Sequence, residues 1–139
     1  MGVKVEGLKE LREEMHKLVE DMKDNLEMGT DDAANLAAIN LRSNAPKGKG
    51  NYRKGGRYHP GGSLRNSVTT KSLPRRVKMP HVTMVGCDYW LAPHQHMVEF
   101  GNVKWGGNPF FRATIDGMRG VMLSAIQNRA EQVIRRRGG

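Results

Sequence analysis

The residues of this chain best suited to chemistry are two histidines and a glutamate, His94 and His96 with Glu99 close behind. Imidazole and carboxylate groups are metal ligands and proton carriers. Positions two apart do not share a helix face, however, and no second group of ligands stands elsewhere in the chain. Polar residues at a turn or a subunit contact are the plainer reading. The run from Gly48-Lys49-Gly50 to Lys54-Gly55-Gly56 superficially resembles a phosphate-cradling loop. A Walker loop needs a Lys followed by Ser or Thr, leading from a strand straight into a helix. Here a helical pattern precedes the loop, and the loop holds no such Lys-Ser/Thr pair. After residue 32 the acids are only Asp88, Glu99, Asp116 and Glu131, and Ser67 and Ser124 have no claim to a triad. The expectation is a protein with no enzymatic activity, no metal and no cofactor.

A stronger signal lies in the basic loop. Lys47, Lys49, Arg53, Lys54 and Arg57 alternate with glycines and are interleaved with Tyr52 and Tyr58. A cationic, partly aromatic segment of this kind can follow a phosphate backbone without reading bases. The alternative is a solvated loop, or one that orders against a neighbouring subunit. No helix-turn-helix, zinc finger or RNP-type strand accompanies it.

Charge is distributed unevenly along the 139 residues. Residues 1–32 carry 5 Lys/Arg against 10 Asp/Glu, whereas residues 33–139 carry 18 against 4, giving +9 overall. A basic body behind an acidic leading segment suits a polyanion or an acidic protein surface. It would equally let one copy's acidic helix face the next copy's basic surface. The apolar share of 37% is low for a globular chain. That leaves either a modest core with long exposed segments or a core completed by neighbouring subunits. A single cysteine, Cys87, excludes an intrachain disulfide and reads as a small buried hydrophobe or inert thiol. With no secretory leader pattern and no run near the ~18 apolar residues of a membrane span, a soluble protein made in a reducing cytoplasm is expected.

The elements that must position these residues follow from periodicity. Leu8, Leu11, Met15, Leu18, Met22 and Leu26 recur at steps of three or four, placing them on one helix face. Gly29 reads as a stop, with Thr30-Asp31-Asp32 starting a second helix, or as a tolerated kink in one continuous helix. Ala33, Leu36, Ala37, Ile39 and Leu41 then form a small-residue, tightly packable run. The helical run ends near Asn44, because Ala45 precedes Pro46. Residues 46–63 form a long, basic, Gly-rich loop. Residues 64–70 and 75–78 are strand candidates around the Leu73-Pro74 break, and His81–Gly86 is the best strand in the chain. Spacings this short favour an antiparallel meander. Tyr89 to Gly107 is irregular. Pro109 opens a closing helix whose apolar stripe is Phe111, Ile115, Met118, Met122, Ala125, Ile126, Arg129 and Val133. The prediction is a single α+β domain over 1–139: N-terminal helices, a small antiparallel sheet of three to four strands, and a C-terminal helix packed on it.

Two stretches carry a resemblance. One is Ala45-Pro46, the basic loop, then Gly62-Ser63-Leu64-Arg65-Asn66-Ser67-Val68. The other runs from Tyr89 through Met97-Val98-Glu99-Phe100-Gly101 to Asn108-Pro109-Phe110-Phe111-Arg112-Ala113. In this order, and with the opening Val3–Leu11, they resemble the neck, or tail-completion, family of long-tailed phages. The loop before Gly62 is longer and more basic than in the simplest members. The resemblance implies a structural virion protein, a homo-oligomeric ring at the head–tail junction, assembled in the host cytoplasm. Its partners would be the adjacent head–tail connector and tail proteins, with non-specific DNA contact through the basic loop as a further one and no membrane. A tail-terminator ring is the neighbouring role. Arg65, Tyr89, Glu99, Phe100, Gly101, Pro109, Phe110 and Arg112 are then the interface or structural motif positions. Glu99 is expected to pair with an arginine, Arg65 or Arg112, within or between subunits, or else to be a buried capping carboxylate within one subunit. Pro109-Phe110-Phe111 reads as a helix start with an aromatic anchor in the core.

Overall fold

The computed structural model describes residues 6–47, 52–54, 57–59 and 62–138, with the backbone alone for 52–54, 57–59 and Trp105. The element order is α1 (Leu8–Asn44), β1 (Tyr52–Lys54), β2 (Arg57–His59), α2 (Ser63–Ser67), β3 (Val68–Leu73), β4 (Val82–Cys87), α3 (Gln95–Phe100), β5 (Gly101–Asn102), β6 (Trp105–Gly106) and α4 (Phe110–Gly138). The α+β class and the placement of the closing helix agree with the sequence pattern.

The leading helices are one helix. Gly29 does not stop α1, because its missing side chain is used in packing. A Cβ there would meet the Ile126 Cα at 3.0 Å and the Arg129 side chain at 3.3 Å. Gly29, Ala33, Ala34, Ala37, Ala38 and Leu41 are the buried residues of α1. Small side chains at four-residue steps let a second helix backbone approach closely. That second helix is α4, running antiparallel to α1. Asp21 bonds to Arg137, Asp32 lies 2.7 Å from Arg129, and Asn44 donates to the Thr114 hydroxyl at 3.0 Å. On α4 the buried or half-buried positions include every member of the stripe from Phe111 to Val133.

The hairpin β3–β4 lies along another side of α1, in antiparallel register from Val68↔Cys87 to Leu73↔Val82. Arg42 donates to the Val68 carbonyl at 3.0 Å, Ser72 to Asp31 at 2.7 Å, and Arg75 lies 3.4 Å from Glu27. Together these ties fix the hairpin's course from residue 42 back toward residue 20.

Several local expectations are corrected. The strand expected over 64–70 begins only at Val68. Ser63, Leu64, Ser67 and Val68 are all buried, a spacing that one helical turn satisfies and a strand does not. Residues 75–78 form no strand; Arg76 and Met79 share one isolated bridge at the hairpin end. The loop over 46–63 contains the paired strands β1 and β2, in register Tyr52↔His59 to Lys54↔Arg57. The stretch from Tyr89 to Gly107 contains α3 and the short β5–β6 pair. The strands pair as three separate hairpins rather than one meander.

The core is small. Ala38, Leu41, Ala45, Leu64, Val68, Ala92 and Phe110 form its centre, where α1, α2, β3 and the start of α4 meet. Leu41, Leu64 and Phe110 each contribute roughly 1.5–3 kcal/mol on burial, while the alanines mainly allow close approach. Among the described residues, every position from Leu8 to Lys17 on α1 is exposed. Of the two options that composition left open, a long exposed segment is therefore present.

Candidate functional site

The two motif segments of the second half of the chain form one structural unit at the start of α4. Pro109 lacks an N–H and stands just before a helix whose first amides would otherwise have no partner. Glu99, 6% exposed, supplies that partner. Its Oε2 accepts from the Phe111 amide and its Oε1 from the Arg112 amide, both at 2.9 Å. A carboxylate facing the positive end of a 29-residue helix is favourable both as a hydrogen-bond acceptor and as a charge. The Asn108 amide donates to the Val98 carbonyl at 2.7 Å, tying the two segments together directly.

Glycine makes the turn between them feasible. Gly101 ends α3 at φ 79°, a left-handed value that side chains resist. A Cβ on Gly107 would stand within 2.6 Å of the Glu99, Phe100 and Gly101 backbone. Phe110 is thereby delivered into the core with its ring 6.4 Å from Phe111, edge to face. This clasp is the built feature of the motif region. The sequence showed Glu99, Gly101, Pro109 and Phe110, but Gly107 was missed, and a Gly two residues before Pro109 was its only signal.

Within the chain the expected Glu99–arginine pair is not formed. Arg112 sits on the exposed face of α4, 3.9 Å from Asp116, while Arg65 reaches the Ser43 carbonyl at 3.5 Å. The Arg65 Nε is buried without a hydrogen-bond partner among the described residues. Glu99 takes its other expected role, a capping carboxylate inside one subunit, with one helix amide on each oxygen. Tyr89 and Phe100 are exposed, at 67% and 78%, and Tyr89 stacks edge to face on Trp90. Neither serves the core. Cys87 lies half-buried beside the clasp, its thiol pKa raised first by burial and further by the Glu99 charge, against a bond from Ser67.

A second cluster, not foreseen from the sequence, joins α1 to β3–β4. Asp31 Oδ1 accepts from Thr83 at 2.5 Å and from Ser72 at 2.7 Å, and lies 3.0 Å from His81 Nε2. A hydroxyl, an imidazole and a carboxylate suggest a catalytic relay, but the connectivity is wrong for one. In a relay the carboxylate and the hydroxyl bind opposite ring nitrogens. Here both contact Nε2, and Nδ1 is buried without a partner among the described residues. The cluster is a polar pin between helix and sheet. The Thr83 bond, aided by Ser72 and His81, lowers the Asp31 pKa against the opposing effect of burial.

The acids of α1 are mostly engaged within the chain. Arg75 lies within 4.0 Å of Glu20, Asp24 and Glu27, and Arg137, His81 and Arg129 pair with Asp21, Asp31 and Asp32. The acidic stretch from Glu20 onward thus faces this chain's own cations. Glu10, Glu13 and Glu14 differ: they are exposed and have no ion-pair partner among the described residues.

Of the basic-loop positions, Lys47 is exposed just after α1, Arg53, Lys54 and Arg57 lie on β1 and β2, and Lys49 falls outside the described residues. Among the described residues no group of three His, Cys, Asp or Glu side chains is placed to hold a metal ion. No described helix is long and apolar enough to cross a membrane. Comparison of the chain with protein-family models, with curated proteins and with solved structures finds no match.

Proposed function

We propose that this chain is a non-catalytic structural subunit of a tailed-phage virion, a ring-forming neck or tail-completion protein at the head–tail junction. The carrying observation is the clasp. Met97–Gly101 and Asn108–Ala113, the motif segments behind the resemblance, are held together through Glu99, Gly107 and Phe110. They act as one scaffold that leaves Phe100 and Tyr89 exposed beside it. Aromatic side chains displayed by a rigid support are characteristic of contact surfaces. The thin core also suits a subunit that is completed by its neighbours, with head–tail connector and tail proteins on either side.

The test is to locate the chain in intact particles by electron microscopy, using a tagged copy. Density or label at the head–tail junction is the expected result. Mature particles that carry tails but lack the chain there would remove this reading.

Sequence-independent nucleic-acid binding remains the second reading, favoured by one observation. Arg53, Lys54 and Arg57 lie on an antiparallel two-stranded ribbon, and such a ribbon can follow a phosphate backbone. Binding to arbitrary duplex that falls steeply with salt, and that is lost with Lys/Arg→Ala changes in residues 47–57, would establish it.

A further inference from the structure

Residues 33–87 carry 11 Lys and Arg and not one Asp or Glu. Any counter-charge for this tract must come from elsewhere in the fold or from a partner. The fold supplies it to Arg75, which lies within 4.0 Å of Glu20, Asp24 and Glu27 on α1. Arg42, Lys47, Arg65, Lys71, Arg76 and Lys78 have no carboxylate at ion-pair distance among the described residues.

Three of these cations meet where the last turn of α1 joins α2 and the start of β3. Arg42 donates to the Val68 carbonyl at 3.0 Å, and Arg65 donates back to the Ser43 carbonyl at 3.5 Å. The two guanidiniums thus brace one contact, each from its own helix. A guanidinium has five N–H donors, so a single bond fixes its place and leaves donors over. Lys47 is exposed three residues beyond the end of α1. Asn44, Asn66 and Thr69, exposed around them, are polar and uncharged.

The carboxylates that approach this junction are engaged elsewhere. Asp88, whose amide donates to the Ser67 carbonyl, turns its Oδ1 to the Trp90 amide at 2.8 Å. Glu99 caps α4, and Asp116 lies 3.2 Å from Arg119 and 3.9 Å from Arg112. The negative end of the α1 dipole also lies here, where Arg65 already covers one of its last carbonyls. The junction therefore remains cationic. At the hairpin end, by contrast, Arg76 and Lys78 stand beside the α1 acids that Arg75 reaches.

The length of the one-signed tract selects the partner. Protein surfaces mix both signs, whereas a nucleic-acid backbone repeats one negative charge throughout. Arg, Lys, Asn and Thr side chains are the donors that hold phosphate oxygens. Exposed Tyr89 and Trp90 follow Asp88 at the edge of the junction, and aromatic faces beside cations suit the same partner. We infer that the junction of α1 and α2 is a phosphate-contact site, through which Arg42, Lys47 and Arg65 hold a nucleic-acid backbone without reading its bases. The inference rests on the nucleic-acid reading of the preceding section and adds to the ribbon a contact braced between helices.

The experiment measures binding of the full chain to a short fluorescent duplex of arbitrary sequence by anisotropy, over a series of salt concentrations. Arg42→Gln/Arg65→Gln should weaken binding about tenfold at low salt and reduce the salt slope by about two, one for each lost phosphate contact. Arg76→Gln/Lys78→Gln removes the same charge at the hairpin end and should change binding less than about twofold. Circular dichroism checks the fold. If the first variant misfolds, Asn66→Asp/Thr69→Asp replaces it, placing acids on exposed positions of the site, and should also weaken binding. A junction variant that binds no worse than the hairpin control overturns the site. Loss of binding in Arg53→Gln/Arg57→Gln alongside that result would leave the ribbon reading standing. An unaltered chain that does not bind the duplex at low salt removes both. Polyglutamate that displaces the duplex as well, charge for charge, as unlabelled duplex does would assign the site to an acidic protein and overturn the inference.

Discussion

Gly107 lies against the backbone of Glu99 so closely that a Cβ on it would stand 2.6 Å from the Glu99 carbonyl oxygen. The residue that caps α4 and the residue that permits the chain to return to α4 are thus one contact. Replacing Gly107 by Ala forces the backbone apart, at a cost of about 1–3 kcal/mol by the usual scale of overpacking. Urea unfolding of Gly107→Ala measures it, and a variant within experimental error of the unaltered chain would contradict the clasp.

Removing the cap acts differently from crowding it. Glu99→Ala leaves two helix amides buried with no acceptor and should cost roughly 1.5–3 kcal/mol, the scale of bonds to a charged group. Glu99→Gln retains one acceptor oxygen and should cost less. Should Gln prove as damaging as Ala, a single neutral acceptor would contribute nothing and the cap would require the full carboxylate.

Asp31 makes the polar pin sensitive to acid. Its folded pKa is lowered, chiefly by the Thr83 bond, so the carboxylate contributes stability that is fully present above its unfolded pKa of about 3.9. That contribution is lost as pH falls through the still lower folded value. The stability difference between the unaltered chain and Asp31→Asn should therefore be constant near neutrality and shrink below about pH 4. A difference that grew on acidification would have the wrong sign.

The closest helix approach sets a third structural limit. Gly29→Leu places a branched side chain where a single Cβ already meets the Ile126 Cα at 3.0 Å. A loss of about 1–3 kcal/mol is expected on thermal or urea unfolding, despite leucine's better helix propensity. An unchanged or raised midpoint would mean that α4 does not lie on Gly29.

Cys87 should be a poor nucleophile in the native protein. Burial and the nearby Glu99 charge both raise its thiol pKa, so little thiolate is present at neutral pH. Alkylation by iodoacetamide at neutral pH should be at least tenfold slower than in denaturant. Equal rates would show the thiol to be open to solvent.

Periodicity made α4 legible nearly residue by residue, because its stripe from Phe111 to Val133 faces one partner along its whole length. In α1 it read half of the contact face. Ala33, Ala37 and Leu41 of the small-residue run are buried, but Leu36 and Ile39 beside them, and the large residues Leu8, Leu11 and Met15 that carry the clearest pattern, are exposed, while Gly29, read as a stop or kink, is part of the buried contact. Thr30-Asp31-Asp32 looked like a helix start because those residue types cap helices. Here the two acids serve His81, Thr83 and Arg129, partners 50 to 97 positions away that no local pattern can show. The clasp was half visible: Glu99 as a capping carboxylate was one of its two expected roles, but a glycine needed for close approach looks the same as any loop glycine. The chemistry of Asp31 and His81 depended on a register that only the folded hairpin sets.

The continuity of α1 through Gly29 has a mechanical consequence. A break at that glycine would have been a hinge, and the first 28 residues could have swung freely. An unbroken helix of 37 residues is instead a stiff lever about 55 Å long. Any load on its tip is carried directly to the Ala- and Leu-lined end near Leu41.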